Sequence, residues 1–362
     1  MKDGRIGRSI IAVGILSLGA LAACARGEKG GPASDSGATT ASAADSGPAF
    51  LVYATDEVGD SIYVIDSRSD SVVDVFHAGQ RPRGVRLSPD GKSLIVAVSG
   101  SPRGGPGVDE SKLPPPDRSK DGIAIVDLGT KNVRRLQGGH DPENFDTTPD
   151  GKTVYVSNED AGTTTVVDVP SGKIVATVTV GAEPEGVKTS PDGKEVWVTS
   201  EERGTVSVID VATNKSVATI KVGKRPRSVI FTHDGSKAYV PSELDSSVSV
   251  VDTRSRKVVK KLPVPGPGAK PMGSSISPDG KFVFITNGRG GTMSVIDTGA
   301  DSLVATFEVG QRPWGIAVTP DGKKLYTANG PGRDVSVIDA ATHKVIKRIP
   351  VGKSPWGVAI SR

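Results

Sequence analysis

The sequence predicts an all-β fold, a seven-bladed β-propeller with four antiparallel strands per blade, and three observations carry that prediction. A Gly-x-x-Pro phrase recurs seven times, with prolines at Pro82, Pro142, Pro184, Pro226, Pro271, Pro313 and Pro355 spaced 60, 42, 42, 45, 42 and 42 residues apart. A period of about 42 residues is the length of one four-stranded blade. Each full unit also divides into four short runs rich in Val, Ile, Thr and aromatics, which are strand formers. The third observation is the way the array begins and ends. After Pro355 the chain holds only Gly357 to Ser361, one strand, whereas Phe50–Thr55, Ser61–Asp66 and Ser71–Phe76 read as three strands with no first. Joined, they complete one blade and close the ring, which removes the exposed edges of an open array.

Within a unit, each element has a local reason. In the unit that begins at Pro184 the strands read Gly186–Ser190, Glu195–Ser200, Thr205–Asp210 and Ser216–Val222. The first two are separated by Ser190-Pro191-Asp192-Gly193, and five other units carry an equivalent phrase around Asp90, Asp150, Asp234, Asp279 and Asp321. Proline presets the first corner of a tight turn, and Asp-Gly completes it. The third strand of every unit ends in Asp (Asp66, Asp127, Asp168, Asp210, Asp252, Asp297, Asp339). Seven equivalent carboxylates argue for a turn that accepts backbone N–H groups, because an active site needs asymmetry. Tyr155, Trp197, Tyr239, Phe284 and Tyr326 share one second-strand position and are expected to pack between blades.

The composition narrows the function. The 362 residues include 45 Lys plus Arg against 41 Asp plus Glu, a net charge of +4, so no polybasic face for nucleic acid is expected. A single cysteine excludes a disulfide framework and any site of paired cysteines. That cysteine, Cys24, follows Lys2, Arg5 and Arg8 and an apolar run from Ile10 to Leu21, the layout of an export signal and too short for a comfortable membrane span. Leu21-Ala22-Ala23-Cys24 resembles a bacterial lipobox, which implies a signal over 1–23 and lipidation of Cys24; ordinary cleavage after Ala23 is the alternative. Residues 24–49, Gly-, Ala- and Ser-rich, read as a flexible tether to a propeller over 50–362. Ala25 is not the Asp that favours inner-membrane retention in similar lipoproteins, so the resemblance points to the outer membrane.

The second strands Val154-Tyr155-Val156-Ser157-Asn158, Val283-Phe284-Ile285-Thr286-Asn287 and Leu325-Tyr326-Thr327-Ala328-Asn329, with third strands such as Val206-Ser207-Val208-Ile209-Asp210, resemble the YVTN β-propeller repeat family over residues 50–362. The resemblance implies the fold and leaves function open. Similar propellers include surface-layer proteins, heavy subunits of quinone-dependent amine dehydrogenases, haem-d1 domains, sugar-lactone hydrolases and streptogramin lyases.

Function is sought where the repeats differ, on the face carrying the loops before the first strand and between the second and third. The residue after each repeated proline reads Arg83, Glu143, Glu185, Arg227, Met272, Trp314 and Trp356; the residue before it reads Arg81, Asp141, Glu183, Arg225, Lys270, Arg312 and Ser354. Arg81, Arg83, Arg225, Arg227, Arg312, Trp314 and Trp356 are read as a basic, indole-bearing sector for an anionic or planar ligand or a partner's loop. It is expected to stand opposite an acidic sector of Asp141, Glu143, Glu183 and Glu185, with Glu159, Asp160, Glu201 and Glu202 nearby. The bland alternatives are solvated salt bridges across blades for the charges, and packing for the two tryptophans. An insertion of 18 residues, around Ser99–Asp121 and holding Pro114-Pro115-Pro116, is expected as an extended, partly stiff loop on the same face.

By register His140 alone of the four histidines belongs to that face, so a copper or haem site is not expected. His140, Asp141, Glu143 and Asp146 are read as a solvated acidic loop, with a metal or acid–base site as the alternative. The expectation is therefore a monomeric, lipid-anchored binding or scaffolding module of the cell envelope, without cofactor or catalytic residues, whose partner is an envelope protein or an anionic ligand. The alternative is a periplasmic propeller enzyme of lactonase or lyase type, or a subunit of a quinone- or haem-dependent dehydrogenase.

Overall fold

A computed structural model describes residues 49–103 and 109–361, so the signal and tether readings and Cys24 lie outside the described residues. Seven four-stranded antiparallel sheets follow one another around a ring. Blade 1 is closed by the chain end: Pro355–Ile360 pairs with Leu51–Asp56, which pairs with Ser61–Asp66 and then Ser71–Phe76. Val52 faces Ile360 and Tyr53 faces Ala359, while Lys353 and Ser354 donate backbone N–H groups to Asp56 at 2.9 and 2.7 Å. The closing strand also buries Trp356, Val358 and Ala359, and burial contributes about 1.5–3 kcal/mol for a large apolar side chain.

The strands expected for the unit at Pro184 are found at Pro184–Thr189, Glu195–Ser200, Thr205–Asp210 and Lys215–Lys221. All seven third-strand aspartates accept backbone N–H bonds from the following turn, for example Thr130 to Asp127 at 2.7 Å and Ser255 to Asp252 at 2.7 Å. The second-strand aromatics are buried between blades: the Trp197 ring meets Phe231 of the next blade edge-on at 5.1 Å. Tyr326 joins Val52 and Ala54 in the cluster that seals blade 7 to blade 1.

The innermost strands are Pro355–Ile360, Val85–Leu87, Pro142–Thr147, Pro184–Thr189, Ile230–Phe231, Pro271–Ile276 and Pro313–Val318. Two backbone features aim their entrance residues. Six of the seven residues before the repeated proline (Arg81, Asp141, Glu183, Arg225, Lys270, Arg312) hold left-handed backbone with φ between 46° and 57°, a conformation costing about 1–3 kcal/mol for a residue with a side chain. Five blades then break strand register just after the proline, as between Pro142 and Phe145, so the residue after proline leaves the regular pleat. Glycine follows in most blades because neighbouring inner strands touch there; a Cβ on Gly315 would lie 2.5 Å from the Trp356 carbonyl oxygen.

Residues 99–121 join the second and third strands of blade 2, where blade 3 uses only 159–162. The loop is not purely extended: two single 3-10 turns, Glu110–Lys112 and Arg118–Lys120, shape its second half. Asp117 causes the second of them by accepting the Ser119 N–H at 3.1 Å.

Candidate active site at the channel mouth

A cavity of about 1130 Å³ opens at the mouth face, and all eleven residues of the two expected sectors line it. Their arrangement differs from two opposed sectors, because arginines and carboxylates interleave. The side chains of Arg81, Arg83, Arg225 and Arg227 reach carboxylates of their own or an adjoining blade, and the acidic blades 3 and 4 stand between arginine-bearing blades 2 and 5.

Arg83, only 2% exposed, bonds Asp141 at 2.5 Å and Glu143, and lies 3.6 Å from Glu159. Asp141 also accepts from Ser99 Oγ at 2.6 Å and lies 3.4 Å from Arg81, which in turn pairs with Glu57 at 2.9 Å. Across the acidic blades Arg227 repeats the pattern. It is bonded to Glu201 and lies 2.6 Å from Glu185 and 3.6 Å from Glu243, with Arg225 beside Glu201 and 3.5 Å from Glu243. These are not solvated bridges, since Arg83, Arg227, Asp141, Glu143, Glu185, Glu201 and Glu243 are all buried. Nor is Asp141–Asp146 a solvated acidic loop: Asp146 is buried deeper in the channel between Lys188 at 3.1 Å and Arg86 at 3.3 Å.

Burial and neighbours set the carboxyl groups apart in proton affinity. Burial pushes Glu143 well above the usual carboxylate range, outweighing the pull of Arg83. Burial alone would also raise Glu159, but a hydrogen bond with Glu143 and the charges of Arg83, Arg81 and Arg227 bring it down to about 2. Burial carries Glu185 up to about 7 against the pull of Arg227, and it also raises Glu183. Glu143 thus holds a proton more tightly than an ordinary carboxyl group and Glu159 less tightly, while Glu185 titrates at about 7.

The apolar side of the mouth is built by Trp314 and Trp356, whose rings lie 5.3 Å apart at 46°. Trp314 carries two guanidinium groups, Arg227 at 5.1 Å and Arg312 at 5.2 Å from its centroid. Burial, and then Arg227, lower the Arg312 pKa. Sequence reasoning missed Glu57 and Glu243; both occupy the position just after the second strand, where Glu159 and Glu201 also stand, so that register was the available signal.

Asp141, Glu143 and Glu159 bring ligand oxygens within 4.8 Å of one another, close enough for a metal ion. The Arg83 guanidinium already bonds two of the three, so the cluster is compensated by this chain's own cation. His140 is exposed and outside the cavity lining, and His77, also on a loop of the mouth face, holds the Asp60 carbonyl oxygen at 2.7 Å away from that lining.

A family model described as "Lactonase, 7-bladed beta-propeller" matches residues 179–348, and one described as "Cytochrome D1 heme domain" matches residues 117–228. No curated protein matches the sequence significantly. Among solved structures, a putative 6-phosphogluconolactonase from Bacteroides fragilis is similar at 18% identity and a TM-score of 0.71, covering 89% of this chain and 99% of that one. A second, from Bacteroides uniformis, has 18% identity and a TM-score of 0.70 over 86% and 99% of the two chains. Kuenenia stuttgartiensis hydrazine synthase has 22% identity and a TM-score of 0.64 over 77% and 89%. At these identities the likeness carries the fold alone, a seven-bladed β-propeller.

These findings correct the expectation of a binding or scaffolding module without catalysis. The lactonase match and an acidic triad in which Asp141 and Glu143 are buried favour a catalytic propeller. The physical reason is convergence: a scaffold has no need to desolvate carboxyl groups from several blades at one mouth, at a cost of several kcal/mol per ion before pairing. Haem does not fit this site, because the described residues lining the cavity include no histidine, cysteine or methionine to ligate its iron.

Proposed function

We propose that the protein is a hydrolase of small lactones, acting at the channel mouth with carboxyl groups as acid and base. The observation that carries this reading is the convergence of carboxyl groups from adjoining blades at one cavity, with burial pushing Glu143 well above the usual carboxylate range and Glu185 up to about 7. A base poised near neutral pH and an acid that keeps its proton are what ester hydrolysis needs. Ionised Glu185 takes a proton from the water that attacks the lactone carbonyl carbon. The acyl–oxygen bond breaks, Glu143 protonates the departing ring oxygen, and the product is a hydroxy acid. Glu185 then releases its proton to solvent, Glu143 is recharged, and one water is consumed. Arg225 and Arg312, half-buried at the rim, offer charge to the developing oxyanion and to an acidic substituent of the substrate.

The test is acid release from a panel of γ- and δ-lactones under pH-stat conditions, with wild type, Glu143→Gln and Glu185→Gln. Hydrolysis that disappears in both variants supports the assignment; no hydrolysis by wild type, or rates untouched by either change, sinks it.

The repeat phrases support a YVTN-type array, and the Lys2–Ala23 leader with Cys24 supports export and lipid anchoring, for which the outer membrane is our preferred site. Among the described residues no helix is long and apolar enough to cross a membrane. Mass spectrometry of the mature amino-terminal peptide tests the anchor: a diacylglyceryl adduct on Cys24 is expected, and an unmodified Cys24 would refute it.

A further inference from the structure

Arg225 and Arg312 occupy the same position, just before the repeated proline, in blades 5 and 7, and both line the cavity. Their surroundings differ at two places. Around Arg225 the residue after the second strand is a glutamate both in the preceding blade and in its own: Glu201 bonds the guanidinium and Glu243 lies 3.5 Å from it. Arg81 uses the first of these places as well, pairing with Glu57 of the preceding blade at 2.9 Å. Around Arg312 the same two places hold Gly288 and Gly330. Arg312 accordingly makes no ion pair among the described residues, although it is half-buried. Arg289, in the connection after the second strand of blade 6, is exposed on the same cavity and also makes no ion pair there.

Trp314 holds the Arg312 guanidinium in place. The guanidinium carbon lies 5.2 Å from the indole centroid, a contact that consumes none of the N–H donors. Burial first, and then the charges of Arg227 and Arg289, lower the Arg312 pKa, with Glu243 pulling the other way. A cation desolvated beside other cations is stabilised by an anion that joins it.

We propose that the ligand supplies the counter-ion that blade 7 lacks: its carboxylate takes the place against Arg312 that Glu201 and Glu243 take against Arg225, with Arg289 as the second cation. Carboxylates already fill this place against Arg81 and Arg225, and their two oxygens match the fork of a guanidinium. The word substrate rests on the lactonase reading, and under it the substrate class is a lactone bearing a carboxylate on its ring. The carboxylate subsite itself stands without that reading.

Gly330 allows the missing partner to be built in. A Cβ there meets nothing closer than the Pro355 carbonyl oxygen at 3.6 Å, and Gly330 lies outside the left-handed region, so Gly330→Glu is accommodated. The new side chain should pair with Arg312 as Glu243 does with Arg225, and so displace the ligand. Tetrahydrofuroate, a cyclic ether acid that cannot be hydrolysed, is titrated calorimetrically at fixed ionic strength into wild type, Gly330→Glu, Arg312→Gln and Arg289→Gln. Its amide and inorganic phosphate are the comparison ligands, and thermal melts verify folding. Wild type should bind the carboxylate about tenfold or more tighter than the amide or phosphate, the size of a charge-assisted hydrogen bond. Gly330→Glu and Arg312→Gln should lose that margin, and Arg289→Gln should lose a smaller part of it. Equal binding of carboxylate and amide, or a margin that survives in folded Gly330→Glu and Arg312→Gln, overturns the subsite. Tighter binding of phosphate overturns the choice of carboxylate. In parallel, kcat/KM for a γ-butyrolactone carrying a ring carboxylate, relative to its amide, should fall severalfold in Gly330→Glu. Carboxylate binding with these dependences but no lactone hydrolysis refutes the catalytic reading and leaves the subsite standing. Hydrolysis with no preference for the acidic lactone refutes the subsite and leaves the catalytic reading.

Discussion

Two halves of the channel mouth use the same backbone positions for opposite chemistry. In blades 3, 4 and 5 the residue after the repeated proline and the residue after the second strand are Glu143 with Glu159, Glu185 with Glu201, and Arg227 with Glu243. In blades 6 and 7 they are Met272 with Gly288 and Trp314 with Gly330. The first half buries charge and compensates it internally through Arg83 and Arg227. The second places a large apolar side chain after the proline and a glycine after the second strand; a Cβ on Gly288 would lie 2.3 Å from the Met272 sulfur. Desolvated charges depend on every partner, whereas apolar walls tolerate change.

That contrast sets the sizes of the effects to expect. The largest is on rate: Glu143→Gln or Glu185→Gln should lower lactone hydrolysis by about 10²–10⁴-fold, the range for general acid–base groups. An equal loss from Trp314→Ala would break the division of labour.

Next is stability. Arg83→Ala leaves buried Asp141 without the guanidinium that bonds it at 2.5 Å, and removal of one partner from such a group costs about 3–5 kcal/mol, measurable by denaturant unfolding. The same variant opens the Asp141–Glu143–Glu159 cluster to an added cation. Calcium should raise the melting temperature of Arg83→Ala and leave wild type unmoved; calcium stabilisation of wild type would show that the guanidinium does not fill that role.

A third expectation concerns pH. The folded-state pKa of Glu185 is raised to about 7 from an ordinary value of 4.5, so folding is favoured while it is protonated. Its contribution is present below about pH 4.5 and is lost as pH rises through 7, on the order of 3 kcal/mol at most. Glu159, lowered to about 2, acts in the reverse sense: its contribution is present above 4.5 and lost as pH falls toward 2. Between pH 5 and 8 the wild type should therefore lose melting temperature, and Glu185→Gln should flatten that slope. An identical slope in both would place the titration elsewhere.

The smallest effect belongs to the tryptophan half. Trp314→Ala removes the shelf under Arg227 and Arg312, a cation–π loss of about 0.5–2 kcal/mol, and should raise KM for an acidic lactone more than it lowers kcat.

The ring and its turns were legible because each blade repeats local chemistry: Asp66 and its six counterparts cap turns within three residues of themselves, and such contacts depend only on sequence neighbours. The candidate site was legible as a set of positions, since all eleven named residues meet at one cavity. Their relations were not. Arg83 and Glu143 are 60 residues apart in sequence, and whether they make a solvated bridge or a desolvated cluster depends on what covers them. Arg118 gave no signal at all, because its ion pair with Asp160 joins the long loop of blade 2 to another blade.

Sequence by itself determined the all-β class, the number of blades, their strands and the way the ring closes, because hydrophobic alternation, turn residues and a fixed repeat length act locally and recur in phase. Tertiary structure alone decided that the mouth is interleaved, that two arginines are buried among carboxyl groups, and that Glu143 and Glu185 are shifted up while Glu159 is shifted down. Desolvation and Coulomb interactions depend on distance and burial in three dimensions, and residue order specifies neither until the ring has closed.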